Sequence, residues 1–228
     1  ILTHVLLEAD PTTGTVALST TNLDTAVRCL IQAEVQEAGC MTLPVHRLCA
    51  IVKELPHEEV FLESRGQDQV KLTSGGATFH IVGMPGEQFP QMASVDDGAE
   101  IVLQQNAFLR MLRSVSYAQS ADENRYILNG VYFSLRGTGL RLVATDGRRL
   151  AMIDQDTEIL ASQSAPVIEQ DMVLPAKVVM ELERLLGRGE KVLLRFNTRQ
   201  VVFQIDTGDE FKQKGFAGPF VLVSKLIE

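Results

Sequence analysis

"MVLPAKVVMELERLL", residues 172–186, repeats the plan of "MTLPVHRLCAIVKEL", residues 41–55, at an offset of 131. Both place Met, Leu and Pro at the same positions and run from a short strand through Pro into a helix. Pro is tolerated there because the first helical turn leaves its backbone N–H groups unpaired. Upstream of each copy lies a hairpin, "VALSTTNLDTAV" (16–27) and "LRLVATDGRRLA" (140–151), at an offset of 124. Downstream lie the strand-rich stretches "VFLESRG" with "VKLTSGGATFHIV" and "VLLRFNTRQVVFQI". Three elements in the same order mark a domain present twice, because solenoid units run to only about 20–50 residues. The change of offset calls for a longer loop in the second copy, assigned to "DTEILASQSAPVIEQ".

The expected boundary is "GEQFPQMASVDDG" (86–98), which is polar, acidic and Pro-containing like a linker. Domains are accordingly expected at 1–95 and 99–228. The opening "ILTHVLLEA" and the closing "FVLVSKLIE" both read as patterns already under way, so both ends are expected to be cut. Period-two alternation in 15–18, 140–143 and 201–205, broken by Gly and Asx turns, predicts antiparallel sheet and an α+β class.

Three helices are predicted, over 45–55, 105–118 and 176–186. In the second, Phe108, Leu109, Met111, Leu112 and Val115 fall on one side and leave Arg110 and Arg113 on the other. In the first, Val45, Leu48, Cys49, Val52 and Leu55 form the stripe and leave Arg47, His46 and Lys53 outside it. Val178, Leu182, Leu185 and Leu186 do the same for Lys177 and Arg184. The three helices together carry +3 in a chain of net −8, which leaves −11 for everything else. Such a chain does not hold nucleic acid by its mean field, and any contact with a polyanion must be local to the helix faces.

No segment reaches the roughly 20 apolar residues of a membrane-spanning helix. Cys29, Cys40 and Cys49 are odd in number and lack metal-site spacing, so neither a disulfide framework, a zinc site nor another cofactor is expected, and a reducing cytoplasm fits. The nucleophile-elbow, phosphate-loop, dinucleotide and zinc-protease motifs are missing. His4, His46, His57 and His80 are scattered, and His80 alternates with Phe79 and Ile81 in a strand. Asp96–Asp97 lies in the linker, where adjacent side chains point apart. Asp122–Glu123 lies in a loop. Asp146, which has Asp154 along the same hairpin, has a local role: its carboxylate bonds turn N–H groups while Gly147 takes positive φ.

"YILNG" (126–130), "GLRLVATDGRRLA" and "VLPAKVVMELERLL" resemble the second domain of the bacterial DNA polymerase III β subunit, the sliding-clamp family, in which T-D-G-x-R-L-A is highly characteristic. "VLLEA", "TTNLDTAV", "TLPVHRLCAIVKEL" and "FPQM" resemble its first domain more loosely. The resemblance implies duplicated clamp domains, with antiparallel sheets outside and helices lining an inner face. It implies three domains per subunit, a head-to-tail homodimeric ring around duplex DNA, and a non-catalytic processivity role. Polymerase subunits and the clamp loader would dock short linear motifs into an apolar pocket, contributed here by Leu128, Thr145, Gly147, Arg148, Arg149 and Leu150. Arg47, Lys53, Arg110, Arg113, Lys177 and Arg184 are the expected DNA-facing residues, making weak, sequence-independent contacts.

Arg148 stands where the family most often has His, and 206–220 is longer than the matching hairpin of the first copy. With the third domain and a leading segment missing, this chain is expected to be monomeric. Two rival readings are a metal-dependent nuclease or phosphatase using Asp146 with Asp122 or Asp154, and a plain adaptor with no DNA role.

Overall fold

The structure, a computed structural model, describes residues 2–55, 59–66, 68–95, 98–137, 139–156 and 169–227. His57, Asp96, Asp97 and nearly all of the longer loop expected over 156–170 lie outside them. The chain divides into two compact units, Ile1–Met92 with Gly215–Ala217, and Ala93–Lys214 with Gly218–Glu228.

The first unit contains β1 (His4–Asp10), β2 (Thr15–Thr21), β3 (Thr25–Gln32), β4 (Gly39–Pro44), α1 (Val45–Lys53), β5 (Phe61–Arg65), β6 (Gln69–Ser74), β7 (Ala77–Val82) and β8 (Met84–Pro85). Within it, β8, β4, β1, β2 and β3 are neighbours in that order, and β5, β6 and β7 form a second sheet. The second unit contains β9 (Ala99–Gln104), α2 (Gln105–Val115), β10 (Gly130–Arg136), β11 (Gly139–Thr145), β12 (Leu150–Asp156), β13 (Glu169–Pro175), α3 (Ala176–Leu185), β14 (Lys191–Phe196), β15 (Gln200–Ile205), α4 (Asp209–Gln213) and β16 (Phe220–Lys225). Its sheets run β12-β11-β10-β13 and β16-β15-β14-β9.

The repeat is finer than the duplication read from sequence. In the second unit, strand–helix–three strands occurs twice, as β9-α2-β10-β11-β12 and as β13-α3-β14-β15-β16. Each copy lends its first strand to the other: β9 pairs antiparallel with β14, and β13 with β10. In the first unit β4 likewise leaves its own meander and pairs with β1.

Alternation then sorts the faces. Val131, Phe133 and Leu135 of β10, Leu140 and Leu142 of β11, Val192, Leu194 and Phe196 of β14, and Val201, Phe203 and Ile205 of β15 are buried. α2 closes over them with Phe108, Met111, Leu112 and Val115. The Phe108 ring stacks 6.4 Å from Phe203 and meets Phe133 edge-on at 6.0 Å, joining both sheets of this unit through one side chain.

At the joint between β9 and α2, Gln105 is fully buried and makes five hydrogen bonds. Its amide nitrogen donates to the carbonyls of Lys191 and Asp206 at 2.8 Å each. Its carbonyl oxygen accepts from the N–H groups of Gly187, Arg188 and Gly189 at 3.0–3.2 Å. One side chain thereby satisfies the turn after α3 and the ends of two strands, where water cannot reach. The 206–220 segment is folded, with Phe211 of α4 edge-on to Phe220 at 6.0 Å and under the Arg188 guanidinium at 4.6 Å.

One expectation is corrected. Of the stripe drawn for α1, Val45, Leu48 and Leu55 pack on the Leu43–Leu72–Ile81 core, but Cys49 is exposed and Val52 is 46% exposed. Ile51 takes their place. Leu48 and Ile51, three residues apart, share the inward face of the helix, with Leu55 packing just past its end, and this leaves Cys49 and Val52 on the neighbouring outward row.

Gln105→Ala removes the side-chain partner of three N–H groups and two carbonyls, of which that of Lys191 keeps a backbone bond, from the Asp206 N–H at 3.1 Å, so about 3 kcal/mol of stability should be lost from the second unit. The check is a lowered urea midpoint with an unchanged slope.

Candidate functional site

The β11–β12 hairpin is built around a turn that satisfies itself. Thr145 and Leu150 are cross-strand partners at its base. Asp146 Oδ1 accepts the backbone N–H groups of Arg148 and Arg149 at 2.9 and 3.0 Å, and its Oδ2 accepts Arg149 Nε at 3.0 Å. Thr145 Oγ1 donates to the Arg149 carbonyl at 2.7 Å and accepts from the Gly147 N–H at 3.1 Å. Gly147 has φ +86°, which side-chain-bearing residues rarely adopt. The N–H groups of Arg148 and then Arg149, aimed at the Asp146 carboxylate, hold it below the usual carboxylate range.

Because the turn uses its own polar groups, its side chains are free to point outward. Leu150 is 65% exposed, and Met152 on the same face of β12 is 57% exposed. Arg148 and Arg149 are exposed beside them.

The "YILNG" segment enters a short 3-10 turn, Tyr126–Leu128, leaving Leu128 half-buried. Asn129 explains the motif: its Nδ2 donates to the Ser120 carbonyl at 2.7 Å, and its own carbonyl accepts the Ala176 N–H that opens α3. Gly130 is required by close approach, since a Cβ there would lie 2.3 Å from the Leu174 carbonyl oxygen.

The helix faces hold the remaining candidates. Arg110 and Arg113 are exposed on α2, opposite its buried row, and carry no ion pair among the described residues. Arg47 and Lys53 are exposed on α1. Lys177 is paired with Glu123 at 3.1 Å and Arg184 with Glu181 at 3.1 Å, which reduces the net charge those two offer.

The family model described as "DNA polymerase III beta subunit, N-terminal domain" matches residues 1–93, and the one described as "DNA polymerase III beta subunit, central domain" matches residues 102–214. The chain belongs to the DNA polymerase III beta subunit family. It is 32% identical over 235 residues to a Beta sliding clamp of Caulobacter vibrioides, covering 100% of this chain and 58% of that protein. Among solved structures, the DNA polymerase III subunit beta of Pseudomonas aeruginosa superposes with a TM-score of 0.84 at 26% identity, covering 100% of this chain and 58% of the other. A sliding clamp of Bartonella birtlesii bound to griselimycin superposes at 0.83 with 29% identity, covering 100% and 57%. The chain thus spans a little over half the length of these relatives. The antiparallel clamp fold expected from the sequence is the fold observed.

Two neighbours of the hairpin carried no sequence signal that singled them out. Arg125 Nη1 donates to the Asp146 carbonyl at 3.4 Å, and Tyr117, 61% exposed just past α2, lies 5.7 Å from the Arg149 guanidinium. Arg125 directly precedes "YILNG", and that adjacency was the one available hint; Tyr117 is brought in from 32 residues upstream by the fold.

The acidic alternative loses its carboxylates to other work. Asp154 accepts two bonds from Arg141, at 2.6 and 2.8 Å, and Asp146 is spent on its turn. Among the described residues no group of three or more His, Cys, Asp or Glu is placed to hold a metal ion. Among the described residues no helix is long and apolar enough to cross a membrane.

Asp146→Asn should keep the two turn N–H bonds and lose the Arg149 pair, whereas Asp146→Ala should broaden the amide signals of 146–149. A depressed carboxyl contributes fully above its ordinary value of 3.8 and loses that contribution as the pH falls through its own lower one. The hairpin signals should therefore be constant from neutral pH down to about 5 and collapse only below 3.8.

Proposed function

We propose that this chain is the peptide-docking and duplex-facing part of a sliding clamp, a non-catalytic processivity factor of the cytoplasm. In its full-length form it encircles duplex DNA as a head-to-tail homodimeric ring. The observation that carries the reading is Leu150, an apolar side chain held open to solvent on a hairpin whose polar groups are internally satisfied. A displayed Leu beside two arginines suits a short extended peptide that brings its own apolar anchor.

In this reading Leu128 and Leu150 contact the anchor, and Gly147 and Thr145 let the peptide backbone come close. Arg148 and Arg149 bond its carbonyls or an acidic terminus. The partners are polymerase subunits and the clamp loader, each through a short linear motif. Arg148 in place of His adds a fixed positive charge at the rim and favours acidic peptides.

Duplex DNA is met by Arg110 and Arg113 on α2, with Arg47, Lys53, Lys177 and Arg184 as weaker contributors. A net charge of −8 keeps that contact loose, as sliding requires. Metal-dependent cleavage is not favoured by any described residue, and the adaptor reading leaves the displayed arginines of α2 unexplained.

In the full-length protein, Leu150→Asp should weaken binding of a polymerase-derived peptide by about tenfold or more, as truncating an interface anchor does; unchanged affinity in a calorimetric titration removes the pocket assignment. Arg110→Glu with Arg113→Glu should lower duplex affinity and reduce the salt slope by about 2. The 228-residue chain should scatter light as a monomer, and a ring-sized dimer would contradict the assignment.

A further inference from the structure

The two arginines of the β11–β12 turn are held differently. Arg148 is exposed, and its side chain makes no ion pair among the described residues. Arg149 is also on the surface, yet it is fixed from two directions. Asp146 Oδ2 accepts its Nε at 3.0 Å, and the centre of the Tyr117 ring lies 5.7 Å from its guanidinium carbon. The first hold is local to the turn, whereas the second comes from a different element 32 residues upstream.

Tyr117 stands on a fixed backbone. It follows α2 directly, between Val115 and Ala118, both 0% exposed. The Gln119 N–H donates to the Ser116 carbonyl at 3.2 Å, and the Ser120 N–H donates to the Leu128 carbonyl at 2.9 Å. The Ser120 carbonyl in turn accepts Asn129 Nδ2 at 2.7 Å. The turn after α2 is thereby bonded to the segment that carries Leu128. The Tyr117 ring itself is 61% exposed, so it contributes little to the core, and the cation it faces is Arg149.

The pair with Asp146 uses Nε and leaves the Nη groups of Arg149 as donors for a ligand. A guanidinium offers them in a planar fork that matches the two oxygens of a carboxylate. An unrestrained arginine loses rotamer freedom in making such a bond, and one already held loses less. A ring face holds the cation without competing for its N–H donors, because the attraction is to the π system.

We propose that Tyr117 is a positioning residue of the peptide-docking site: it holds Arg149 so that the Nη groups receive an acidic residue beside the peptide's apolar anchor. This rests on the docking reading of the hairpin. Arg148, which has no such restraint, adds charge at the rim without fixed geometry.

The test titrates the full-length protein calorimetrically with one polymerase-derived peptide in two versions, carrying Asp or Asn beside the apolar anchor. The unaltered protein should prefer the Asp version. Tyr117→Leu should reduce that preference about threefold, the worth of one exposed cation–π contact. Tyr117→Phe, which keeps a ring, should retain it. Arg149→Lys should behave like Tyr117→Leu, since it keeps the charge and loses the fork, while Arg148→Lys should leave the preference unchanged. The urea midpoint should be the same for both Tyr117 variants as for the unaltered protein, because the ring is exposed. An unchanged preference in Tyr117→Leu overturns the proposal, and so does a loss of affinity equal for both peptides, which would make Tyr117 a plain contact. Leu150→Asp separates the two levels, since it should weaken both peptides alike. If it weakens neither, the docking reading has failed; if it weakens both while Tyr117→Leu keeps the preference, the role of Tyr117 alone is rejected.

Discussion

The exchange of first strands is the constraint from which the rest of the second unit follows. β9 completes the sheet of β14–β16, and β13 completes the sheet of β10–β12, so neither strand–helix–meander motif has a closed sheet without the other. The exchange makes the pairing long-range in sequence and puts α2 over both sheets, where Phe108 touches Phe133 and Phe203 together. Gln105 sits where β9 turns into α2. Its five bonds to main-chain groups around 187–191 and at Asp206 tie one motif's strand–helix joint to the other motif's turns. A buried amide with every bond made is specific because any shift of register would leave some of those groups unpaired in a dry site.

The β11–β12 hairpin stands on one of these completed sheets. β11 and β12 are anchored by seven cross-strand pairs below the turn, and Ala144, Leu142 and Ala151 lock their inner sides into the core. The turn itself is closed by Thr145, Asp146 and Gly147, so the side chains of Arg148 and Leu150 are presented outward, while that of Arg149 also pairs with Asp146. A surface side chain released from structural duty is one that binding can use.

Much of the fold was legible because the duplication repeats a local signal. Met, Leu and Pro recur at matched places, and Pro before α1 and before α3 fixes where the chain turns from strand to helix. The T-D-G turn was legible for the same reason: an Asx turn and a positive φ are decided within four residues. The finer repeat of strand, helix and three strands was not, because β9 and α2 share few identities with their counterparts: Gln104–Gln105 stands where the other copies have Pro followed by Val or Ala. The α1 stripe was misdrawn because Cys49, Val52 and Ile51 are all apolar, and a helix of nine residues holds too few turns to fix its rotation by pattern alone.

The amino-acid sequence by itself determined the local elements, the turn chemistry of the hairpin, the duplication and the family, all of which rest on residues within a few positions of one another. Tertiary structure alone decided which strand completes which sheet and that Gln105 is buried. It also decided that Arg125 and Tyr117 stand beside Arg149, and that Leu150 is open while Leu194 is closed. Those outcomes depend on burial and strand pairing between segments tens of residues apart, and the free energy of a buried contact belongs to both partners at once, so neither stretch of sequence carries it alone.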